Sequence, residues 1–279
     1  MSKIISDLHI HSINSDGNKS FDEIINLSND LLCISITDHD TINDIKLKKI
    51  NNTYVIPGVE ITCLFEGYKL DLLCYSVDIK LNDRIQAILK TIYTRKNNWA
   101  DDVIYNINNN TYFSKISDGE SISKFQIRPK YIKGFIYKKQ IIDYIAQKYN
   151  IDKILLLNGL KDCFPCDSYF FYPNYSELIP NLLESNFIVS LAHPKRYKIN
   201  DNLYFQYMLK KLLDVGLNCI EVYHPSADIN DFRYLKHLAK EYNLTITGGS
   251  DHHNETSMPI GSLGLESLDI HNFFNLLKI

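Results

Sequence analysis

Short apolar runs that pass straight into histidine and carboxylate recur along this chain, and that recurrence restricts its fold more than any other feature. Residues 3–10 form the first such run and hold all but the last residue of Asp7-Leu8-His9-Ile10-His11, followed by Ser15-Asp16-Gly17. Residues 32–36 lead into Thr37-Asp38-His39-Asp40, residues 54–56 into Pro57-Gly58-Val59-Glu60, and residues 188–191 into Ala192-His193-Pro194. Residues 219–223 end at His224, and residues 244–247 reach Gly249-Ser250-Asp251-His252-His253. Apolar runs of this length bounded by turn residues read as buried strands. Between them come helix signals. Ser20-Phe21-Asp22-Glu23 has the capping-box spacing ahead of Phe21, Ile24, Ile25 and Leu27, and Phe232, Leu235, Leu238, Ala239 and Tyr242 mark an amphipathic face. Strands alternating with helices, each strand ending on polar ligands, predict parallel strands in an α/β barrel with its chemistry at the strands' C-terminal face.

Imidazoles and carboxylates gathered at one face are how a protein holds several divalent cations. His9 and His11, two apart on a strand, project to the same side. A hydrolytic metalloenzyme is the expectation. There is no Ser-His-Asp relay and no Gly-Lys-Ser/Thr phosphate loop, which disfavours a serine nucleophile or a nucleotide triphosphatase.

The 279 residues fit one large barrel domain with an insertion. A net charge of -3 argues against a chain that coats nucleic acid nonspecifically, so an anionic substrate must be met by local cations. No apolar run approaches the roughly 18 residues of a membrane span, and the start lacks a signal-peptide pattern. A soluble cytoplasmic protein with no membrane partner and no obligate protein partner is expected. The six cysteines, Cys33, Cys63, Cys74, Cys163, Cys166 and Cys219, are scattered as reduced thiols would be. Cys163-Phe164-Pro165-Cys166 has no second pair to complete a zinc knuckle, and reads as two loop cysteines.

The rhythm breaks in the middle. Residues 81 to about 106 read as one long helix, and residues 108–164 contain no strand-plus-ligand unit. Residues 97–170 are therefore assigned to a mostly helical insertion, and residues 1–96 and 171–279 to the barrel. Between residues 122 and 142 there is no acidic residue, while Lys124, Arg128, Lys130, Lys133, Lys138 and Lys139 alternate with Phe125, Tyr131, Phe135 and Tyr137. That pattern suits phosphate binding and base stacking, and equally a solvated helical face over a buried aromatic stripe.

With these motifs in this order the chain resembles the PHP (polymerase and histidinol phosphatase) family. It is most similar to the stand-alone branch of 3',5'-nucleotide bisphosphatases and 5'-to-3' exoribonucleases. Arg128-Pro129, Tyr172-Pro173 and Glu221-Val222-Tyr223-His224-Pro225 extend the likeness. The resemblance implies a distorted (β/α)7 barrel with two or three divalent ions (Mn, Zn, Fe or Mg). It implies that His9, His11 and Asp251 hold one ion. Glu60 then bridges to a second, also bound by His193, and Asp16, His39 and His253 hold a third. Asp7, Asp38 and Asp40 become candidates to orient the imidazoles.

Two positions depart from the family. Asp71 stands where a histidine ligand is usual, a harder donor that shifts preference toward manganese or magnesium. Lys130 stands where a histidine often follows Arg-Pro. The expected reaction is attack of a metal-activated water on a phosphate ester of a nucleotide, a nucleoside 3',5'-bisphosphate or a short oligonucleotide. Glu60, Asp71 and Arg196 are the catalytic candidates, and Arg128, Lys130, Arg196 and His224 the substrate-binding ones. His252 shares with His224 a choice between facing substrate and a structural role, while His237 and His271 read as ordinary surface residues. The alternatives are a histidinol-phosphate phosphatase, against which Asp16 argues, and a noncatalytic metal-binding or nucleic-acid-binding protein, for which Asp71 and Lys130 argue.

Overall fold

A computed structural model describes residues 4–43, 46–128, 134–165, 170–197 and 202–279. Among them the strands are β1 (Ser6–Ile10), β2 (Cys33–Ile36), β3 (Lys48–Ile50), β4 (Thr53–Phe65), β5 (Tyr68–Tyr75), β6 (Ile188–Leu191), β7 (Cys219–Tyr223) and β8 (Thr245–Gly248). They form one sheet in the order β1-β2-β4-β5-β6-β7-β8, with β3 paired to β4 off that path. A bridge between Ile10 and His252, with His11 N donating to His252 O at 3.0 Å, brings the two ends together. The result is a nearly closed, distorted barrel of seven strands with a mostly helical insertion.

The expectation that all strands run parallel is corrected by β5, which is antiparallel to both β4 and β6. The cause lies in β4. It does not stop at Ile56 but continues for 13 residues through Pro57-Gly58-Val59-Glu60 and turns back at Glu66-Gly67. Gly67 has φ +86°, the left-handed backbone that a tight hairpin requires. Reversal of β5 places its early residue Asp71 opposite Thr62, at the same end of the barrel as the other strands' C-termini.

The outer helices form where the pattern puts them. Helix α1 (Phe21–Leu27) starts on a reciprocal Ser20–Glu23 capping box and buries Ile24 and Ile25, although Leu27 faces solvent. The helices that follow are α2 (Asp83–Asn108), α3 (Thr111–Ile116), α4 (Lys124–Ile127), α5 (Lys138–Tyr149) and α6 (Lys153–Gly159). After these come α7 (Tyr175–Glu184), α8 (Asn202–Asp214), α9 (Ile229–Glu241) and α10 (Ser267–Leu277). Helix α9 buries Leu235, Leu238 and Ala239 on the barrel.

A separate apolar cluster, with Trp99, Val103, Ile107, Phe113, Ile141, Ile145, Leu156 and Cys163 in it, lies wholly within the middle of the chain. The end of α2 and helices α3, α5 and α6 pack there on one another, because each is too short to bury its apolar face alone. Cys33, Cys63, Cys74, Cys163 and Cys219 are buried free thiols, and Cys166 lies outside the described residues. No described helix is long and apolar enough to cross a membrane.

Candidate metal centre

His9 is on β1 and His11 one residue beyond it; both are fully buried. Their Nε2 atoms face each other at 3.1 Å. Two neutral imidazole nitrogens at that distance repel unless a proton or a cation lies between them. Glu60 Oε2 stands 3.3 Å from His9 Nε2 and 3.2 Å from His11 Nε2, and Asp251 Oδ1 stands 3.3 Å from each. Four donors at the corners of a tetrahedron with metal bonds of 2.0–2.1 Å are separated by about 3.3–3.4 Å. The donor set therefore has the spacing and the N/O chemistry that a divalent ion takes.

Two further sets adjoin it. Glu60 Oε1 lies 3.0 Å from His193 Nε2, which lies 3.5 Å from Asp71 Oδ2. Asp16 Oδ1 lies 3.3 Å from His253 Nε2, 3.9 Å from His39 Nε2 and 3.8 Å from His11 Nδ1. This buried oxygen has no hydrogen-bond partner. His39 turns its Nδ1 to Glu60 Oε2 at 3.2 Å. All nine residues expected as ligands thus converge, and each set brings its donor atoms close enough for one ion.

Local backbone explains how. His193 and Asp251 have φ of 29° and 49°, left-handed values that turn the chain sharply off β6 and β8 to aim the side chains inward. Gly249 is required by close approach, since a Cβ there would stand 2.4 Å from His9 N and 2.7 Å from Asp7 Oδ1. Gly17 is held by the same constraint, 2.2 Å from His11 O.

The electrostatics follow from burial and mutual charge. Burial alone pushes the His11 imidazole down, but hydrogen bonds to Asp251 and Glu60 and the charges of Glu60 and Asp16 carry it up to about 10. His9 moves the same way, burial being outweighed by Glu221, Asp251 and Glu60. Burial pushes the Glu60 and Asp251 carboxyls up, yet the surrounding imidazoles hold both well below the usual carboxylate range. Without cations the centre retains protons in their place.

The expectation that Asp7, Asp38 and Asp40 orient the imidazoles is corrected. Asp7 accepts from the backbone N–H groups of Ser250 (3.0 Å), Gly261 (2.9 Å) and His9 (3.3 Å), tying β1 to the Asp251 loop. Asp38 accepts from Ser12 and Ser15, and reaches His11 only through Ser15 Oγ, 3.5 Å from His11 Nδ1. Asp40 pairs with Lys96. The orienting role falls to two residues that sequence reasoning missed. Glu221 Oε1 lies 2.9 Å from His9 Nδ1, and Tyr197 Oη lies 3.1 Å from His193 Nδ1. A carboxylate inside an otherwise apolar strand, Cys219-Ile220-Glu221-Val222, was the available signal for Glu221, because an acid is almost never fully buried without a partner.

The remaining candidates divide. Arg196 Nη2 lies 3.1 Å from Asp251 Oδ2 with its side chain half exposed, on the rim of the centre. His224 Nε2 meets the same oxygen at 3.1 Å. Because His224 Nδ1 accepts from Ser226 N (3.0 Å), its Nε2 carries the hydrogen and donates to Asp251. Arg128 is buried, with Nη1 donating to Ser15 O and Phe135 O and Nη2 to Ile13 O, so it braces the loop carrying Asp16. His252 Nδ1 donates to Met258 O in a structural contact. Lys130 and Lys133 lie outside the described residues. Lys124 and Lys139 pair with Asp101 and Asp143, as a solvated face would.

No family model matches the chain. A curated protein of Eggerthella lenta, phosphoribosyl 1,2-cyclic phosphate 1,2-diphosphodiesterase, is 24% identical over 268 residues, covering 90% of this chain and 95% of its own. A solved structure from Bifidobacterium adolescentis, described as a metal-dependent phosphoesterase, superposes with a TM-score of 0.73 at 16% identity, covering 99% of this chain and 98% of that one. An amidohydrolase from Chromobacterium violaceum, solved with bound sulfate and no metal, gives 0.64 at 17% identity over 92% of this chain and 90% of that one. The two structural likenesses show the shared fold. Fold, donor sets and relative together define a metal-dependent phosphoesterase, a hydrolase. With its ligand motifs in the order of the PHP family, the chain resembles the phosphoesterases of that family.

Proposed function

We propose that the chain uses three divalent ions to hydrolyse a phosphate ester on a ribose that carries a second phosphate. Such substrates include a nucleoside 3',5'-bisphosphate or the end of a short oligonucleotide, and the curated relative's name extends the class to a ribose cyclic phosphate. His9, His11 and Asp251 would hold one ion, His193 and Asp71 a second with Glu60 shared between them, and Asp16, His39 and His253 a third. Divalent cations there supply Lewis acidity, lowering the pKa of an attacking water and offsetting charge on the ester oxygens.

The observation that carries the reading is the division of the Glu60 carboxylate, one oxygen facing His9, His11 and His39 and the other facing His193. Arg196 stands on the rim with guanidinium N–H groups able to donate bidentately to a phosphate. Its link to Asp251 holds it there between turnovers. Lys130 is proposed as a second phosphate contact.

Chelated protein reloaded with manganese or zinc, assayed for phosphate release, tests the reading. The expected order is fast release from the doubly phosphorylated riboses and slow release from an aryl phosphate. Equal rates on all of them would remove the ribose specificity, and no release with any ion would remove the reaction.

A further inference from the structure

Beside the metal centre lies a cavity of about 410 Å³ to which none of the nine ligands contributes. Its walls are aromatic: Trp99 of α2 has the Phe164 and Phe170 rings at 6.3 and 5.4 Å, and Tyr172 continues that side. Its cations are Lys96, Lys138 and Lys161, and among the described residues no carboxylate lines it. Lys138 Nζ rests 4.5 Å over the Phe164 ring.

Two of its wall residues connect it to the centre. Tyr137 Oη donates to His39 O at 3.4 Å, with the two rings 6.1 Å apart. Lys96 pairs with Asp40, whose N–H donates to Glu60 O at 2.7 Å. An occupant of the cavity is therefore separated from His39 by Tyr137 alone, and from Glu60 by Lys96 and Asp40.

Flat π faces interleaved with ammonium groups match a nucleotide's base and phosphate. A cavity of this size falls in the range of about 300–1,000 Å³ typical for small ligands. A bare ribose phosphate would leave the aromatic walls without a stacking partner.

We propose that this cavity holds the base of a nucleotide substrate, with Lys138 and Lys161 meeting a phosphate. The direction of the substrate, base here and scissile ester at the ions, rests on the phosphoesterase reading above. Trp99 is the chain's single tryptophan, so emission excited at the red edge of tryptophan absorption, where the 19 tyrosines contribute little, reports on this cavity.

The test titrates metal-free protein with adenosine 5'-monophosphate and with ribose 5-phosphate while Trp99 emission is followed. The nucleotide is expected to give a saturable change and the sugar phosphate none. Phe170→Ala should weaken nucleotide binding about tenfold through lost stacking. The doubly substituted K138E/K161E, changed at exposed positions, should weaken it at least as much, and keeps the test open if Phe170→Ala does not fold. Equal responses to nucleotide and sugar phosphate, no response to either, or unchanged nucleotide binding in both variants overturns the proposal. Failure of the phosphoesterase reading would show separately, as no phosphate release from the manganese-loaded wild type alongside an intact emission change in the metal-free protein.

Discussion

Glu221 holds His9 by its outer nitrogen: the carboxylate Oε1 stands 2.9 Å from Nδ1, and its other oxygen accepts from His193 N at 2.6 Å. One fully buried side chain thus fixes the tautomer of one proposed ligand and the backbone of another. Partners of this kind raise imidazole basicity and fix ring orientation, and their loss typically costs about 10–100-fold in metal affinity or activity. Glu221→Gln, of nearly the same shape, is expected to lower retained metal by that margin while circular dichroism stays unchanged. Full metal content after gel filtration would show that His9 needs no such support.

Tyr197 plays the corresponding part for the second set. Its hydroxyl accepts from Asp71 N at 2.8 Å, lies 3.1 Å from His193 Nδ1 and 3.5 Å from Asp71 Oδ2, and so ties together the two proposed ligands particular to that set. Tyr197→Phe should remove about one equivalent of bound metal per chain, roughly tenfold in affinity. Elemental analysis across a dilution series checks this, and an unchanged stoichiometry would contradict it.

Asp71 is one of the two positions at which this chain leaves the pattern of the family it resembles, and Thr62 Oγ1 donates to its Oδ1 at 2.6 Å, turning Oδ2 toward His193. Asp71→His replaces a hard oxygen donor by imidazole. Preference among activating ions is expected to move from manganese toward zinc. An identical ion profile in the two proteins would place Asp71 outside the coordination sphere.

The convergence of the expected ligands was legible because most of them belong to motifs that follow an apolar strand run, and strand ends of a barrel meet at one face whatever the turns between them do. His9, His193 and Asp251 could be placed without knowing a single loop. The reversal of β5 was not legible, since an apolar run such as Leu70-Asp71-Leu72-Leu73 reads alike in either direction and only the hairpin at Gly67 sets its sense. Arg128 was misleading for a related reason. A cation beside an aromatic run suggests phosphate, whereas its three carbonyl acceptors are Phe135 O, nearby in sequence, and Ile13 O and Ser15 O, more than a hundred positions away and brought to it only by folding. Glu221 went unassigned because its partner His9 is 212 positions away.

Gly249 marks where β1 and the Asp251 loop touch, and its missing side chain is what lets them approach. A methyl group there meets His9 N at 2.4 Å and His9 Cβ at 2.6 Å, both anchored in the central strand. Gly249→Ala should cost about 1–3 kcal/mol, the usual range for overpacking. It should also loosen metal retention, because His9 and Asp7 must shift. Thermal unfolding of the metal-free protein isolates the first effect, and a midpoint equal to wild type would show that the strand yields without strain.

The metal-free protein should lose stability as pH rises from about 6.5 to about 10, against the trend of the loaded one. His11 has an ordinary pKa of 6.5, carried up to about 10 in the folded chain, where burial is outweighed by hydrogen bonds to Asp251 and Glu60. Its folded value exceeds its unfolded one, so the stabilisation is complete below the unfolded value and disappears as pH passes the folded one. His9 shifts in the same direction and adds to the effect. Asp7, whose carboxyl burial lifts to about 6, titrates mostly below this window and acts in the same direction, since its folded value also exceeds its unfolded one. An ion requires neutral imidazoles, so rising pH favours loading and loading releases protons. Calorimetric unfolding with chelator should give midpoints that fall across the window, and with saturating manganese or zinc midpoints that hold or rise. Parallel trends in the two series would mean that His9 and His11 exchange no protons for metal.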